Sequence, residues 1–246
     1  MAELTDYAFR VTPALVLVAL LYTLLRGRQA LPLRIVLVII GFLVVRDTLV
    51  LFEIWGYGVT SGWLPWLRFT NDPLLVSLLA VGSLVMTLFL VLIERDGESL
   101  LVWGRWKWSH LGWGLLGGIA IAGPLIVAYQ FVPLADRGGS VPNSMIAPLL
   151  VTAAFGNLTE DVLVRGYVQG YLGTLYSPVR AALGSSLFYA VGHIFLATVV
   201  TDLGLPILLL AVYDGLICAL VRMKSGIIPA AISHGMAIVV LATGLI

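Results

Sequence analysis

The stretch MIAPLLVTAAFGNLTEDVLVRGYVQGYLGTL, residues 145–175, decides how this chain is read. It is long and apolar enough to cross a bilayer, whose hydrocarbon core of ~30 Å takes about 20 helical residues. Yet Glu160, Asp161 and Arg165 stand inside it. One carboxylate or guanidinium at mid-bilayer costs ~2.5–3.5 kcal/mol on insertion scales. A cluster of three stays there only if its members face one another or a wet cavity, and that marks a functional site. On a helix Asp161 and Arg165 are i and i+4, so their side chains meet on one face. Glu160 projects about 100° away from Asp161 and finds no partner in its own helix. Asn157 falls one turn before it, on nearly the same face. The division gives Asp161 a structural task and leaves Glu160 free to act as a general base.

The rest of the chain places this stretch in a membrane. Of 246 residues, 60% are hydrophobic and 11% charged, against roughly 25% charge in a soluble domain; mean hydropathy is +1.04. Apolar runs near 8–25, 32–52, 73–93, 110–133, 145–175, 178–200, 204–222 and 226–246 predict an all-α, polytopic membrane protein of about eight transmembrane helices. Residues 1–144 supply about four N-terminal spans, and residues 145–246 about four more that carry the chemistry. A net charge of +1 with no basic tail excludes a nucleic-acid partner. The single cysteine, Cys218, excludes an internal disulfide and any multi-cysteine metal site. The acidic start Met-Ala-Glu-Leu-Thr-Asp lacks the positive region of a signal peptide, so the first run is expected to be a retained helix.

Charge in the loops gives the orientation. Arg26, Arg28, Arg34, Arg95, Arg105, Lys107, Arg180, Arg222 and Lys224 fall in one set of alternate loops; Arg10, Arg46, Arg68 and Arg137 fall in the other. The positive-inside rule puts the first set in the cytoplasm and both termini outside. Short loops and the lack of a targeting extension lead us to expect a prokaryotic plasma membrane. Trp55, Trp63, Trp66, Trp103, Trp106, Trp108 and Trp113 gather at the expected span ends, as an interfacial belt does. Gly114–Gly118 and Gly166–Gly170 have the spacing that lets helix backbones approach closely. Arg46 and Asp47 read as a self-paired couple near the interface, and Asp214 as a partner for Arg222 or another polar group.

Two histidines join the charged cluster. His193 follows Tyr189 by one turn in Ser-Leu-Phe-Tyr-Ala-Val-Gly-His, and His234 ends Gly226-Ile-Ile-Pro-Ala-Ala-Ile-Ser-His. Two intramembrane histidines beside an intramembrane Glu/Asp/Arg group predict one shared polar site.

In this order, Glu160-Asp161-x-x-x-Arg165, Tyr189-x-x-x-His193 and the approach to His234 resemble the family of CAAX prenyl proteases and bacteriocin-processing enzymes, the Abi-type intramembrane endopeptidases. The resemblance covers about residues 145–242. Its pattern is Glu-Glu-x-x-x-Arg, Phe-x-x-x-His and His-x-x-x-Asn/Asp on successive helices. Here Asp161 replaces the second glutamate, Tyr189 the phenylalanine, and Ile238 the Asn/Asp that follows His234 by four.

The resemblance implies peptide-bond hydrolysis in the membrane, on a peptide or membrane-protein tail. Glu160, assisted by His193, would activate water, and His234 would stabilise the oxyanion. Asp161, Arg165, Asn157 and Tyr189 would support them, with Asn157 supplying the amide that Ile238 lacks. A His₂Glu zinc site of Glu160, His193 and His234 is the alternative chemistry, and a metal-free glutamate mechanism is the favoured one. The alternative function is a catalytically impaired relative that acts as an immunity or scaffold membrane protein, which the Ile238 substitution suggests.

Overall fold

The computed structural model describes residues 2–26, 30–201 and 203–244. They form helices α1 (Ala2–Leu25), α2 (Leu31–Thr48), α3 (Pro73–Ile93), α4 (Trp108–Tyr129), α5 (Asn143–Phe155), α6 (Leu158–Asp161), α7 (Gln169–Leu175), α8 (Pro178–Val191), α9 (Leu205–Ser225) and α10 (Ile227–Thr243). Two strands, β1 (Trp55–Thr60) and β2 (Leu64–Phe69), form an antiparallel hairpin between α2 and α3. Among the described residues, six stretches are long and apolar enough to cross a membrane, including the whole of Asn143–Leu175. The 17-residue α10 is a further, shorter apolar helix. The expected all-α polytopic membrane fold is present, with the hairpin as an addition to it.

Local chemistry sets several of the boundaries. Asp72 accepts from the backbone N–H groups of Leu74 and Leu75, and Pro73 occupies the first turn, so α3 begins there. Pro178 opens α8 in the same manner. The hairpin turns through Ser61 and Gly62, both at positive φ, the geometry that keeps the two strands in register. Gly226 ends α9 and starts α10 at φ +102°, packed directly against Gly104, itself at φ +98°. A β-carbon at either glycine would meet backbone, so the sharp bend between α9 and α10 and the crossing of the 94–107 segment depend on each other.

With no hydrophobic drive between helices in lipid, close approach and shared polar bonds hold the bundle. Gly114, Gly117 and Gly118 bring α4 onto Pro229, Ser233 and Met236 of α10, and the Ser233 hydroxyl donates to the Gly114 carbonyl at 2.9 Å. The expected close packing at Gly114–Gly118 is therefore seen. Gly166 and Gly170 also sit at close contacts, Gly166 against Leu101 and the start of α10 at Ile227, and Gly170 against Leu100 of the segment after α3. Thr152, Ser83, Thr87 and Thr159 exchange hydroxyl bonds that join α3 to α5 and α6.

The core is divided. One apolar cluster, including Leu64, Leu67, Val76, Met145 and Ile238, lies below the hairpin. A second, including Leu100, Leu101, Val162, Leu163, Tyr167 and Ile227, lies towards the opposite end.

Candidate active site

The helix from residue 143 to 175 is not regular. α5 ends at Phe155, Gly156 and Asn157 make a turn, and α6 holds a single turn before the backbone widens into a π-helix over Val162–Val168. Glu160 and Asp161 thus stand between two irregularities, and Asn157 caps α6 instead of sharing an unbroken helix with Glu160. α8 ends at Val191, His193 occupies the turn that follows, and a second π-helix covers Leu196–Val200. Such π segments are frequent at functional sites. At membrane depth, irregular backbone is tolerated where protein or a wet cavity surrounds it.

Asp161 and Arg165 pair as expected, Oδ1 to Nε at 3.4 Å, and both are fully buried. The guanidinium also lies 3.9 Å from Asp214 Oδ2 and over the Tyr189 ring, 4.1 Å from its centroid. It is held by charge and by the ring face more than by close hydrogen bonds. Asp214 meets another polar group, one of the readings open to it, and not Arg222. Arg222 donates instead to the Leu100 carbonyl at 3.1 Å, while Asp214 faces His234 Nε2 at 3.6 Å and accepts from Cys218. His234 Nδ1 donates to Asp161 Oδ2 at 3.1 Å, and its Nε2 is 3.3 Å from the Tyr189 hydroxyl. One imidazole therefore lies between two carboxylates from α6 and α9.

Glu160 has a partner that local reading did not find. Arg46 Nη1 donates to Glu160 Oε1 at 2.5 Å while its Nε donates to Asp47 Oδ1 at 2.6 Å, and Nη2 lies 3.3 Å from the Gly192 carbonyl. Arg46 is thus paired with Asp47, as expected, and also reaches across to Glu160, 114 residues further along the chain. His193 Nε2 stands 4.0 Å from the same Glu160 oxygen. Its Nδ1 is 2.9 Å from the Tyr189 carbonyl. A carbonyl only accepts, so Nδ1 carries the proton in this bond and Nε2 presents its lone pair towards Glu160.

Glu160, His193, His234, Tyr189, Asn157 and Arg46 all line one cavity of about 320 Å³. Its remaining wall is mostly apolar, and Ile238 belongs to it. Trp55, Tyr57, Leu67 and Phe69, which share one face of the hairpin, line it at the end away from the basic loops. Trp55 is thus part of a cavity wall as well as of an aromatic belt. Burial, with the Glu160 carboxylate adding to it, pushes the Tyr57 phenol above its ordinary range, so this hydroxyl keeps its proton. The Asn157 side-chain nitrogen is buried without a hydrogen-bond partner.

Residues 142–240 match the family model of the Rce1-like type II CAAX prenyl endopeptidases. The resemblance carried by the motifs holds. The CAAX-protease match spans α6, α8 and most of α10, with Glu160, His193 and His234 inside it; α1 to α4, the hairpin and Arg46 lie outside it. Together with the apolar helices it describes an integral multi-pass membrane protein, residues 142–240 of which are similar to a CAAX-type endopeptidase family. No curated protein and no solved structure matches the chain significantly.

Proposed function

We propose that the chain is an intramembrane endopeptidase that hydrolyses a peptide bond of a membrane-associated or peptide substrate with water activated by Glu160 and His193. The observation that carries this reading is the 4.0 Å gap between Glu160 Oε1 and His193 Nε2 at the cavity wall. It is too long for a direct hydrogen bond and suits one water bridging the two. Glu160 takes a proton from that water as the oxygen attacks the scissile carbonyl, and returns it to the leaving amine when the tetrahedral intermediate collapses. The negative charge on the carbonyl oxygen needs donors. The imidazolium form of His234, held between Asp161 and Asp214, would turn its Nε2–H from them to the oxyanion as one donor, and the unpartnered Asn157 amide is the second, standing in for the polar side chain that Ile238 replaces.

The same geometry supports a metal-free version. A His₂Glu zinc site needs three ligand atoms converging on one point. Among the described residues no such group of His, Cys, Asp or Glu is found. Both nitrogens of His234 face Asp161, Asp214 and Tyr189, and the Glu160 oxygen nearest His193 is shared with a guanidinium. The residues do not fit zinc, and no step is assigned to it.

The test compares wild type with Glu160→Gln at equal membrane levels, reading peptide termini by mass spectrometry across membrane and secreted proteins. A product that vanishes in the variant is expected. Identical termini, with a biological effect retained by Glu160→Gln, would transfer the assignment to an immunity or scaffold protein. That second reading is favoured by the apolar Ile238 in the cavity wall.

A further inference from the structure

The two ends of the bundle differ in a way that bears on which substrates reach Glu160. At the basic end the segment after α3 closes the molecule. Leu100 and Leu101 are buried among Val162, Leu163, Tyr167 and Ile227. The Ile227 and Ile228 N–H groups donate to the Val102 and Trp103 carbonyls at 2.8 and 3.1 Å. Tyr167 covers Gly97, and the Arg222 guanidinium is fixed on the Leu100 carbonyl. This packed layer lies between the catalytic groups and the loops that hold Arg95, Arg105 and Lys107. The cavity extends the other way, from Glu160 and His193 to the hairpin face. Its side walls are residues near the hairpin ends of α1, α2 and α3, such as Tyr7, Leu49 and Leu78. α2 and α3 both line it, with Phe42 and Val45 from the one and Leu78, Gly82 and Met86 from the other, and Leu78 is half exposed.

Charge sorts with these ends. Arg26, Arg95, Arg105, Lys107, Arg180 and Lys224 lie at the sealed end. The cations of the hairpin end are occupied internally. Arg10 pairs with Asp6, Arg46 with Asp47 and Glu160, and Arg137 lies over Tyr129. Arg68 spends its guanidinium on backbone carbonyls, including those of Leu241, Arg137 and Gly139. The positive-inside rule therefore places the sealed end in the cytoplasm.

We infer that the catalytic cavity opens to the extracytoplasmic side, beneath the hairpin, and that its substrate is an uncharged, apolar segment of an exported polypeptide. The wall is mostly apolar, and its cation, Arg46, is already held between Asp47 and Glu160, so neither it nor the Glu160 carboxylate is free to bind a charged segment. The word substrate rests on the endopeptidase reading; the orientation does not.

The two are tested separately. Ser61→Cys in the hairpin turn, Ser83→Cys in the cavity wall and Ser109→Cys at the basic end of α4 are each introduced into the full chain in a bacterial inner membrane. A membrane-impermeant maleimide is then applied to intact cells with a permeable outer membrane and to inverted vesicles. Wild type, whose single cysteine is buried, is the unlabelled control. Labelling of Ser61→Cys and Ser83→Cys in cells, and of Ser109→Cys only in inverted vesicles, is expected. Labelling of Ser61→Cys only in inverted vesicles would overturn the orientation. Labelling of Ser83→Cys only from that side, or from neither, would overturn the route of access. In the comparison of termini, every Glu160-dependent cleavage is expected in an exported segment, and cleavage of a cytoplasmic tail overturns the substrate assignment. A complete lack of such cleavage overturns the endopeptidase reading, and with it the substrate, while the labelling pattern still decides the orientation.

Discussion

Glu160 shows how a carboxylate is kept ionic at membrane depth and still faces a cavity. Arg46 supplies the opposite charge, and Asp47 holds Arg46 in place from the other side. Removing one member of a buried ion pair typically costs ~3–5 kcal/mol, because it strands the other charge. Arg46→Met is therefore expected to lower both thermal stability in detergent and Glu160-dependent cleavage, with Arg46→Lys recovering part of each. Asp161→Asn should leave Arg165 short of its nearest anion and destabilise the fold by a similar amount, read as a lower midpoint of thermal unfolding. Asn157→Leu separates structure from chemistry. Its amide nitrogen has no partner in the resting protein, so turnover should fall by about 10²–10³, the usual loss for one oxyanion donor, while the folded fraction hardly changes. Equal losses of both would remove Asn157 from the mechanism. Glu160, Asp161, Arg165, His193 and His234 could be read from sequence because each is costly in an apolar run and the first three share a few helical turns. Arg46 and Asp214 could not. Each has a neighbour in sequence, Asp47 or Arg222, that offers a sufficient local partner, and only packing across the bundle shows where the side chain goes.

At the scale of elements, the proposed catalytic groups stand where regular helix gives way. Glu160 precedes one π-helix and His193 another; the first is buried throughout, and in the second Leu196 and Ala197 are buried while Thr198 and Val199 are exposed. Apolar periodicity foretold the spans but not these breaks, since hydropathy is the same in α and π geometry. The hairpin escaped for a related reason. Its strands, Trp55–Thr60 and Leu64–Phe69, carry Gly56, Gly58 and Pro65, which interrupt the alternation that marks a strand. The contact between Gly104 and Gly226 gives the prediction at this scale. Both have positive φ; a β-carbon on Gly226 would meet the Gly104 backbone, and one on Gly104 the Ser225 carbonyl. Gly226→Ala combines left-handed strain, about 1–3 kcal/mol, with a clash against backbone. Loss of thermal stability is expected to exceed that of Gly123→Ala, where a β-carbon meets nothing within 4 Å.

At the scale of the whole molecule, the matched domain contains only part of the candidate site. Residues 142–240 bring Glu160, His193, His234 and Asp214, but the cation on Glu160, the hairpin face over the cavity and the wall from α3 all come from before residue 142. The two parts are joined along a long, closely fitted interface, with Gly114, Gly117 and Gly118 of α4 against α10 and the hydroxyl bonds of Ser83 and Thr159 between α3 and α6. Helices that insert independently and associate through small-residue contacts can do so as separate chains. Residues 130–142 join the parts through a loop whose peptide bonds contribute no catalytic group, so the chain is expected to tolerate a break there. Residues 142–246 produced alone should enter the membrane yet show no Glu160-dependent cleavage, because Arg46 and half of the cavity wall are missing. Co-expression with residues 1–141 should restore co-purification and cleavage together. Introducing Arg46→Met into the 1–141 fragment should abolish the cleavage while leaving most of the co-purification, since the α4–α10 contact does not involve it. Cleavage by the 142–246 fragment alone would show instead that the matched domain is complete and that Arg46 is dispensable.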